Sequence, residues 1–197
     1  MNIHEFEPYL DFWLEGQRKG FAGDLPREKL PDDSKFVLLR KGKLLYIDRW
    51  YGSDIGGGQT ILYDDALDNP EKIIFGTPAS GKPIARLGYS GEIIRRFTED
   101  ELKELRKVFC DISQSDIIWR VLKSALSQVS RKRFLRGPIF YQFPEFPDFI
   151  YCSKDRQEGN NRIIGSEDIS MPRKDSPLCF IGDYDFTLIK RNLEDRL

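Results

Sequence analysis

Ile55-Gly56-Gly57-Gly58-Gln59-Thr60-Ile61 reads I-x-G-x-Q-x-I, and Ile163-Ile164-Gly165-Ser166-Glu167-Asp168-Ile169 reads I-x-G-x-E-x-I. Alternate residues of a strand point to the same face, so the marked positions of each copy form one stripe. The isoleucines bury that stripe, the glycine admits a neighbouring backbone or ring, and Gln59 or Glu167 stands between apolar neighbours. A polar group there needs a hydrogen-bond partner or a cavity, because burying it unpaired costs about 1–3 kcal/mol. A second echo follows each copy: Pro83-Ile84-Ala85-Arg86-Leu87-Gly88 and Pro177-Leu178-Cys179-Phe180-Ile181-Gly182. The repetition predicts an α+β fold of two pseudo-repeated antiparallel β-meander lobes, each preceded by helix and sharing one core. The first repeat spans residues 1–96 and the second 97–197 in one globular unit.

Outward from the first copy, Phe36-Val37-Leu38-Leu39-Arg40 and Lys43-Leu44-Leu45-Tyr46-Ile47-Asp48 flank Lys41-Gly42, which predicts a hairpin. Tyr46, Asp48 and Trp50 share one face of it, and Leu45, Ile47 and Arg49 the other. Further strands are expected over Gln59–Tyr63, Lys72–Phe75 and Ile84–Ile94. Ile3, Phe6, Leu10, Trp13 and Leu14 recur at helical spacing before Gly20. Asn2 and Glu5 have capping-box spacing, but Pro8 favours a start at Glu7. Thr98-Glu99-Asp100-Glu101 is a second capping box, and Ser113 to Asp116 caps another apolar stripe from Ile117 to Val129. Lys132-Arg133-Phe134 is expected to end that helix. Tyr141–Phe143 and Phe149–Ser153 then replay the first hairpin, with Tyr151 in the place of Tyr46.

Thirty-one basic and 32 acidic residues nearly cancel, so no net field favours nucleic acid or an anionic membrane. Arg131-Lys132-Arg133 with Arg136 reads as the solvated end of a helix. No apolar run approaches the ~20 residues that span a bilayer. Met1-Asn2-Ile3-His4-Glu5 lacks the basic and apolar regions of a secretion signal. Cys110, Cys152 and Cys179 are odd in number and widely spaced, which fits reduced thiols in the cytoplasm. With 40% hydrophobic and 13% aromatic residues, the chain can build a packed core.

Catalytic patterns are sparse. His4 is the sole histidine, which rules out histidine-rich metal sites, and no G-x-S-x-G elbow accompanies it. Asp64-Asp65 and Asp183, Asp185 read as turn residues and lack the EF-hand pattern. Gly56-Gly57-Gly58 and Gly76 to Pro83 lack the Walker pattern and the helix start that phosphate binding uses, and read as structural loops. No cofactor or metal is implied. Aromatics gather in the hairpins, with Tyr46, Trp50 and Tyr51 in the first and Phe140, Tyr141, Phe143, Phe146, Phe149 and Tyr151 in the second. They form sheet core or, where exposed, a binding surface.

Tyr46-x-Asp48-x-Trp50-x-Gly52, the I-x-G-x-Q-x-I string, Leu87-x-Tyr89-x-Gly91, Arg136-Gly137-Pro138 and Ile163 to Ile169 resemble elements of an uncharacterised bacterial family, domain of unknown function 5680. The resemblance covers residues 5 to 190. It departs at Gln59, where the family has Glu, and at Asp183-Tyr184-Asp185, where a Tyr-x-Gly-Gly string would stand. Family members occur alone or joined to helix-turn-helix regulators, and no such module precedes this chain. The resemblance implies a domain that senses a ligand or protein more than an enzyme, and it supplies no catalytic residues.

The expectation is a cytoplasmic bacterial domain that binds a small ligand or a protein partner, with no membrane or nucleic-acid partner. The candidate ligand-binding residues are Tyr46, Asp48, Trp50, Gln59, Tyr89, Tyr151 and Glu167. The alternatives are a toxin-neutralising or other interaction protein, and an enzyme using Glu167, Asp48 and Tyr89. Whether Gln59 and Glu167 face a common cavity would discriminate among these readings.

Overall fold

The computed structural model describes residues 3–23, 25–66, 81–110, 113–171 and 178–189. A 3₁₀ turn, Ile3–Phe6, leads into helix α1, Glu7–Lys19. Pro8 lies in its first turn, where a missing amide costs no hydrogen bond. Strands β1 (Glu28–Lys29), β2 (Lys35–Lys41), β3 (Leu44–Gly52), β4 (Ile55–Asp64) and β5 (Lys82–Ile93) follow. Gly42 turns the β2–β3 hairpin with a left-handed φ of 59°. Helix α2, Glu99–Phe109, starts at the Thr98 capping box, in which Thr98 and Glu101 satisfy each other's backbone amides. Helix α3, Gln114–Leu126, starts at Ser113, whose side chain accepts from the Asp116 amide. The remaining strands are β6 (Phe140–Gln142), β7 (Ile150–Glu158), β8 (Arg162–Ser170) and β9 (Leu178–Leu188).

All nine strands form one antiparallel sheet in the order β1-β2-β3-β4-β5-β9-β8-β7-β6. This corrects the expected α+β pair of helix-preceded lobes: the fold is sheet-dominated, with three α-helices of 13, 11 and 13 residues among the described residues. The reason is the β5–β9 pairing, which runs from Ala85–Leu188 to Ile93–Phe180. A meander that ended at β5 or β9 would leave a row of unpaired backbone groups there. Pairing the two ends satisfies both rows and fuses the halves into one sheet.

The pairing register relates the halves by a local two-fold. Tyr89 lies opposite Tyr184, and each tyrosine faces a glycine on its other side, Gly58 in β4 and Gly165 in β8. A Cβ on either glycine would collide with the tyrosine ring beside it. One strand further out, Thr60 faces Asp48 and Glu167 faces Ser153, while Tyr46 and Tyr151 correspond.

The helices cover one face of the sheet. Phe6, Leu10 and Trp13 of the α1 segment pack on Tyr46, Leu62, Leu87, Tyr184 and Phe186, and against α2 and α3 lies a second cluster built on Phe143, Phe149, Tyr151, Ile169 and Phe180. Trp13 is fully buried, edge-on to Tyr46 and Phe186, with Nε1 donating to the Phe134 carbonyl at 2.8 Å. Leu45, Ile47, Tyr63 and Ala66 make a smaller cluster on the opposite face. A Cβ at Gly16 would penetrate the buried Tyr46 ring. Gly16→Ala therefore sets a helix-propensity gain of about 1 kcal/mol against an overpacking cost of about 1–3 kcal/mol. Chemical denaturation should show a net loss of stability, and a gain would mean that the α1–β3 contact yields to the added methyl group.

Local details also depart from expectation. Gly56, Gly57 and Gly58 lie within β4, not in a loop, because a Cβ at each would strike a backbone oxygen of a neighbouring strand. Asp183 and Asp185 lie in β9 rather than in a turn. Helix α3 stops at Leu126, so the basic stretch is not a helix end. Arg131 pairs with Glu7 and Asp11, and Arg133 with Asp155 at 2.7 Å. Asn2, the strand expected over Lys72–Phe75, the segment 76–80 and Pro177 lie outside the described residues. Among the described residues no helix is long and apolar enough to cross a membrane.

Candidate functional site

A buried polar network crosses the helix-covered face at the junction of the halves. In β3, Asp48 is 2% exposed and its Oδ1 accepts from Thr60 Oγ1 at 2.9 Å and from the Tyr89 hydroxyl at 2.7 Å. Burial drives the Asp48 carboxyl up to about 6, against the lowering effect of the Tyr89 and Thr60 hydrogen bonds and of the Arg136 charge. Tyr89 is held well above the ordinary phenol value by burial first and by the Asp48 charge second. The guanidinium of Arg136 lies 5.0 Å from the centre of the Tyr89 ring. Its Nε donates to Glu167 Oε2 at 3.0 Å and its Nη2 to Oε1, a bidentate pair. The Tyr151 hydroxyl donates to the same Oε2 at 2.8 Å. Burial works to lower the Arg136 pKa, but the Glu167 carboxylate reverses this and holds it above the usual value.

This network floors a cavity of about 420 Å³ between the sheet, Phe21 in the segment after α1, and α3. Tyr89, Arg136 and Glu167 reach it, whereas Asp48 lies behind Tyr89. Phe21, Trp50, Trp119 and Phe180 supply aromatic walls. Phe21 stands edge-on to both tryptophans, with centroids 5.7 Å from Trp50 and 6.3 Å from Trp119. Trp119 is fixed by Nε1 donating to the Ser53 carbonyl at 2.7 Å. Gly56 and Gly91 leave bare backbone beneath the cavity, where a Cβ at Gly56 would strike the Tyr51 carbonyl oxygen and one at Gly91 the Phe180 ring. Arg27, Lys35 and Lys123 line the cavity with Asp116, giving four basic side chains with Arg136 against two acidic ones.

Asp48, Tyr89, Tyr151 and Glu167 are thus brought together, and Tyr46 packs beside them in the core, edge-on to Trp13. Trp50 stands apart as a cavity wall. Gln59 does not join them. It lies on the opposite face of the sheet with Ile47, Arg49, Ile61 and Arg86. The two copies of the motif are out of register by one residue, and a one-residue slip turns every side chain to the other face. Gly58 and Thr60 are the true counterparts of Gly165 and Glu167. Three consecutive glycines conceal this, because Gly57 and Gly58 both align with Gly165. Thr60, Arg136, Trp119 and Phe21 were not among the expected site residues. The Arg136-Gly137-Pro138 string carried a usable signal, since a basic residue beside Gly-Pro within an apolar context suggests a buried partner.

Glu167 has both oxygens committed to side-chain donors, so it serves as counter-ion to Arg136 and not as a free base. His4 is exposed and remote from the cavity. Cys110, Cys152 and Cys179 are not joined in disulfides. No cluster of three metal-ligating side chains occurs among the described residues.

Fold and site together define an antiparallel β-sheet domain with an aromatic, charge-lined cavity at its pseudo-two-fold junction. Comparison of the chain with protein-family models, curated proteins and solved structures gives no match.

Proposed function

We propose that the chain is a cytoplasmic bacterial domain of sensor type that binds a small molecule in the cavity between α3 and the sheet. The observation that carries this reading is the joining of aromatic walls to a buried guanidinium in one recess. The cavity volume of about 420 Å³ falls in the range of small-molecule sites, roughly 300–1,000 Å³. A half-open recess of this size suits a small ligand better than a protein partner, whose side of an interface covers about 800 Å². The kinship with domain of unknown function 5680 belongs to the same proposal. In its support, the polar residues of four resembling elements, Asp48, Tyr89, Arg136 and Glu167, meet in one network.

A chemically mixed metabolite library screened by thermal shift tests the reading. A ligand at one hundred times its Kd stabilises the fold by about 2.7 kcal/mol, a shift that is easily measured. The same ligand should change tryptophan fluorescence, because Trp50 and Trp119 line the cavity while Trp13 is enclosed in the core. Trp119→Ala should weaken binding about tenfold or more, by loss of an aromatic wall. A library without a stabilising compound, or hits indifferent to Trp119→Ala, would overturn the proposal.

A further inference from the structure

We infer that the ligand is a planar aromatic anion, a flat ring system carrying a single carboxylate. This inference rests on the cavity being a small-molecule site and adds the class of molecule. The first argument is charge. Arg136 and Glu167 neutralise each other. Asp116 Oδ2 accepts from the Ser113 hydroxyl at 2.7 Å and sits at the exposed mouth. Among the described residues Arg27 and Lys35 have no carboxylate partner, and Arg27 lies over the Trp50 ring at 5.9 Å. The recess therefore carries an excess of positive charge next to an aromatic wall, in a chain whose overall charges nearly cancel.

The second argument is the state of Arg136. Its Nε and Nη2 are engaged by Glu167 and one face of its guanidinium by Tyr89. Nη1 has no acceptor among the described residues, and it is not one of the enclosed unpaired nitrogens. In a side chain only 5% exposed that lines the cavity, this leaves one N–H edge open to the recess. A guanidinium has five donors and no acceptor, so what completes it is an anionic or carbonyl oxygen. A cationic ligand finds no equivalent group, because both Glu167 oxygens are already taken.

The third argument is shape. Gly56 and Gly91 leave bare backbone in the floor, and Trp50 and Trp119 both stand nearly perpendicular to Phe21, at 88° and 83°. Flat, polarisable walls over a bare backbone floor suit a ring better than a branched aliphatic chain.

Three isosteric probes decide the matter: 2-naphthoate, 2-naphthylmethanol and 2-naphthylmethylammonium, titrated calorimetrically into the full chain. The anion should bind about tenfold tighter than the alcohol, with the ammonium weakest, as a charge-assisted bond to a buried guanidinium requires. Its advantage should shrink at high salt and in the double variant Arg27→Gln/Lys35→Gln, whose sites are exposed and leave the core untouched. Equal or tighter binding of the alcohol or the ammonium overturns the inference while leaving the cavity a ligand site. Library hits that are all cationic or aliphatic do the same. If neither the probes nor the library bind, the inference and the proposed function fail together.

Discussion

Glu167→Ala should cost about 3–5 kcal/mol of stability, the range seen when one partner of a buried ion pair is removed. The substitution leaves the Arg136 guanidinium 5% exposed, with two donors unpaired and no charge to balance it. Thermal unfolding should fall by roughly 10 °C, at about 2–4 °C per kcal/mol for a chain of this size. Arg136→Met should also be destabilising, because it leaves the buried Glu167 carboxylate without its counter-ion. The double variant Arg136→Met/Glu167→Met should regain most of the loss, since well-packed apolar replacements of buried pairs are often neutral or stabilising. Denaturant melts of all three variants form a double-mutant cycle that isolates the coupling. A loss below about 1 kcal/mol in Glu167→Ala would show that Arg136 finds another acceptor, and its place as the anchor of the cavity floor would fall with it.

If the double variant is as stable as the parent, the Arg136–Glu167 pair is retained for something other than stability. The geometry indicates what that is. The pair fixes a positive edge at the base of the cavity, and a hydrophobic replacement would erase that edge while keeping the fold. Measured on the same proteins, ligand binding and stability should therefore separate.

The parts of this molecule written in short-range chemistry were legible in the sequence. Gly42 between two apolar runs turns the β2–β3 hairpin, Thr98 with Glu101 starts α2, and Ser113 starts α3. The shared face of Tyr46 and Asp48 follows from a period of two and holds in the structure. Long-range pairing was not legible. Nothing local to Leu87 or Phe186 states that β5 must lie beside β9, yet that pairing turns two expected lobes into one sheet. Register failed for a related reason. The isoleucine pattern fits both copies of the motif, but side chains on the neighbouring strand decide which glycine each copy uses. Tyr89 must lie over Gly58 and Tyr184 over Gly165. Once those rings are placed, Thr60 and not Gln59 turns toward the buried network, and Arg136, read as a solvated cation, becomes its centre.

Stability should decline between about pH 4 and pH 7 through Asp48, and Asp48→Asn should remove that decline. The folded-state carboxyl is held near 6, above its ordinary 3.8, mainly by burial. A group whose folded pKa is raised binds its proton more tightly in the native state. Its contribution is complete below about 4 and is lost as pH rises through about 6. The difference amounts to about 3 kcal/mol, at 1.36 kcal/mol for each tenfold change in proton affinity. Asp32, Glu101 and Asp185 act in the opposite sense, because their folded pKa values are lowered and their contributions vanish on acidification. The gap between parent and variant is therefore the quantity to follow. Asp48→Asn should gain on the parent by about 3 kcal/mol from pH 4 to pH 7 in matched denaturant melts. Parallel curves would mean that water reaches Asp48 and keeps its carboxyl at an ordinary value. The groups facing this carboxylate are the Thr60 and Tyr89 hydroxyls, with the Tyr46 phenol and the Arg136 charge beyond them. Tyr89 also lines the cavity, so the ionisation of Asp48 and the occupation of the cavity act on the same phenol. A parent protein that binds its ligand differently on either side of pH 6, beside an Asp48→Asn variant that does not, would show the two events coupled through that ring.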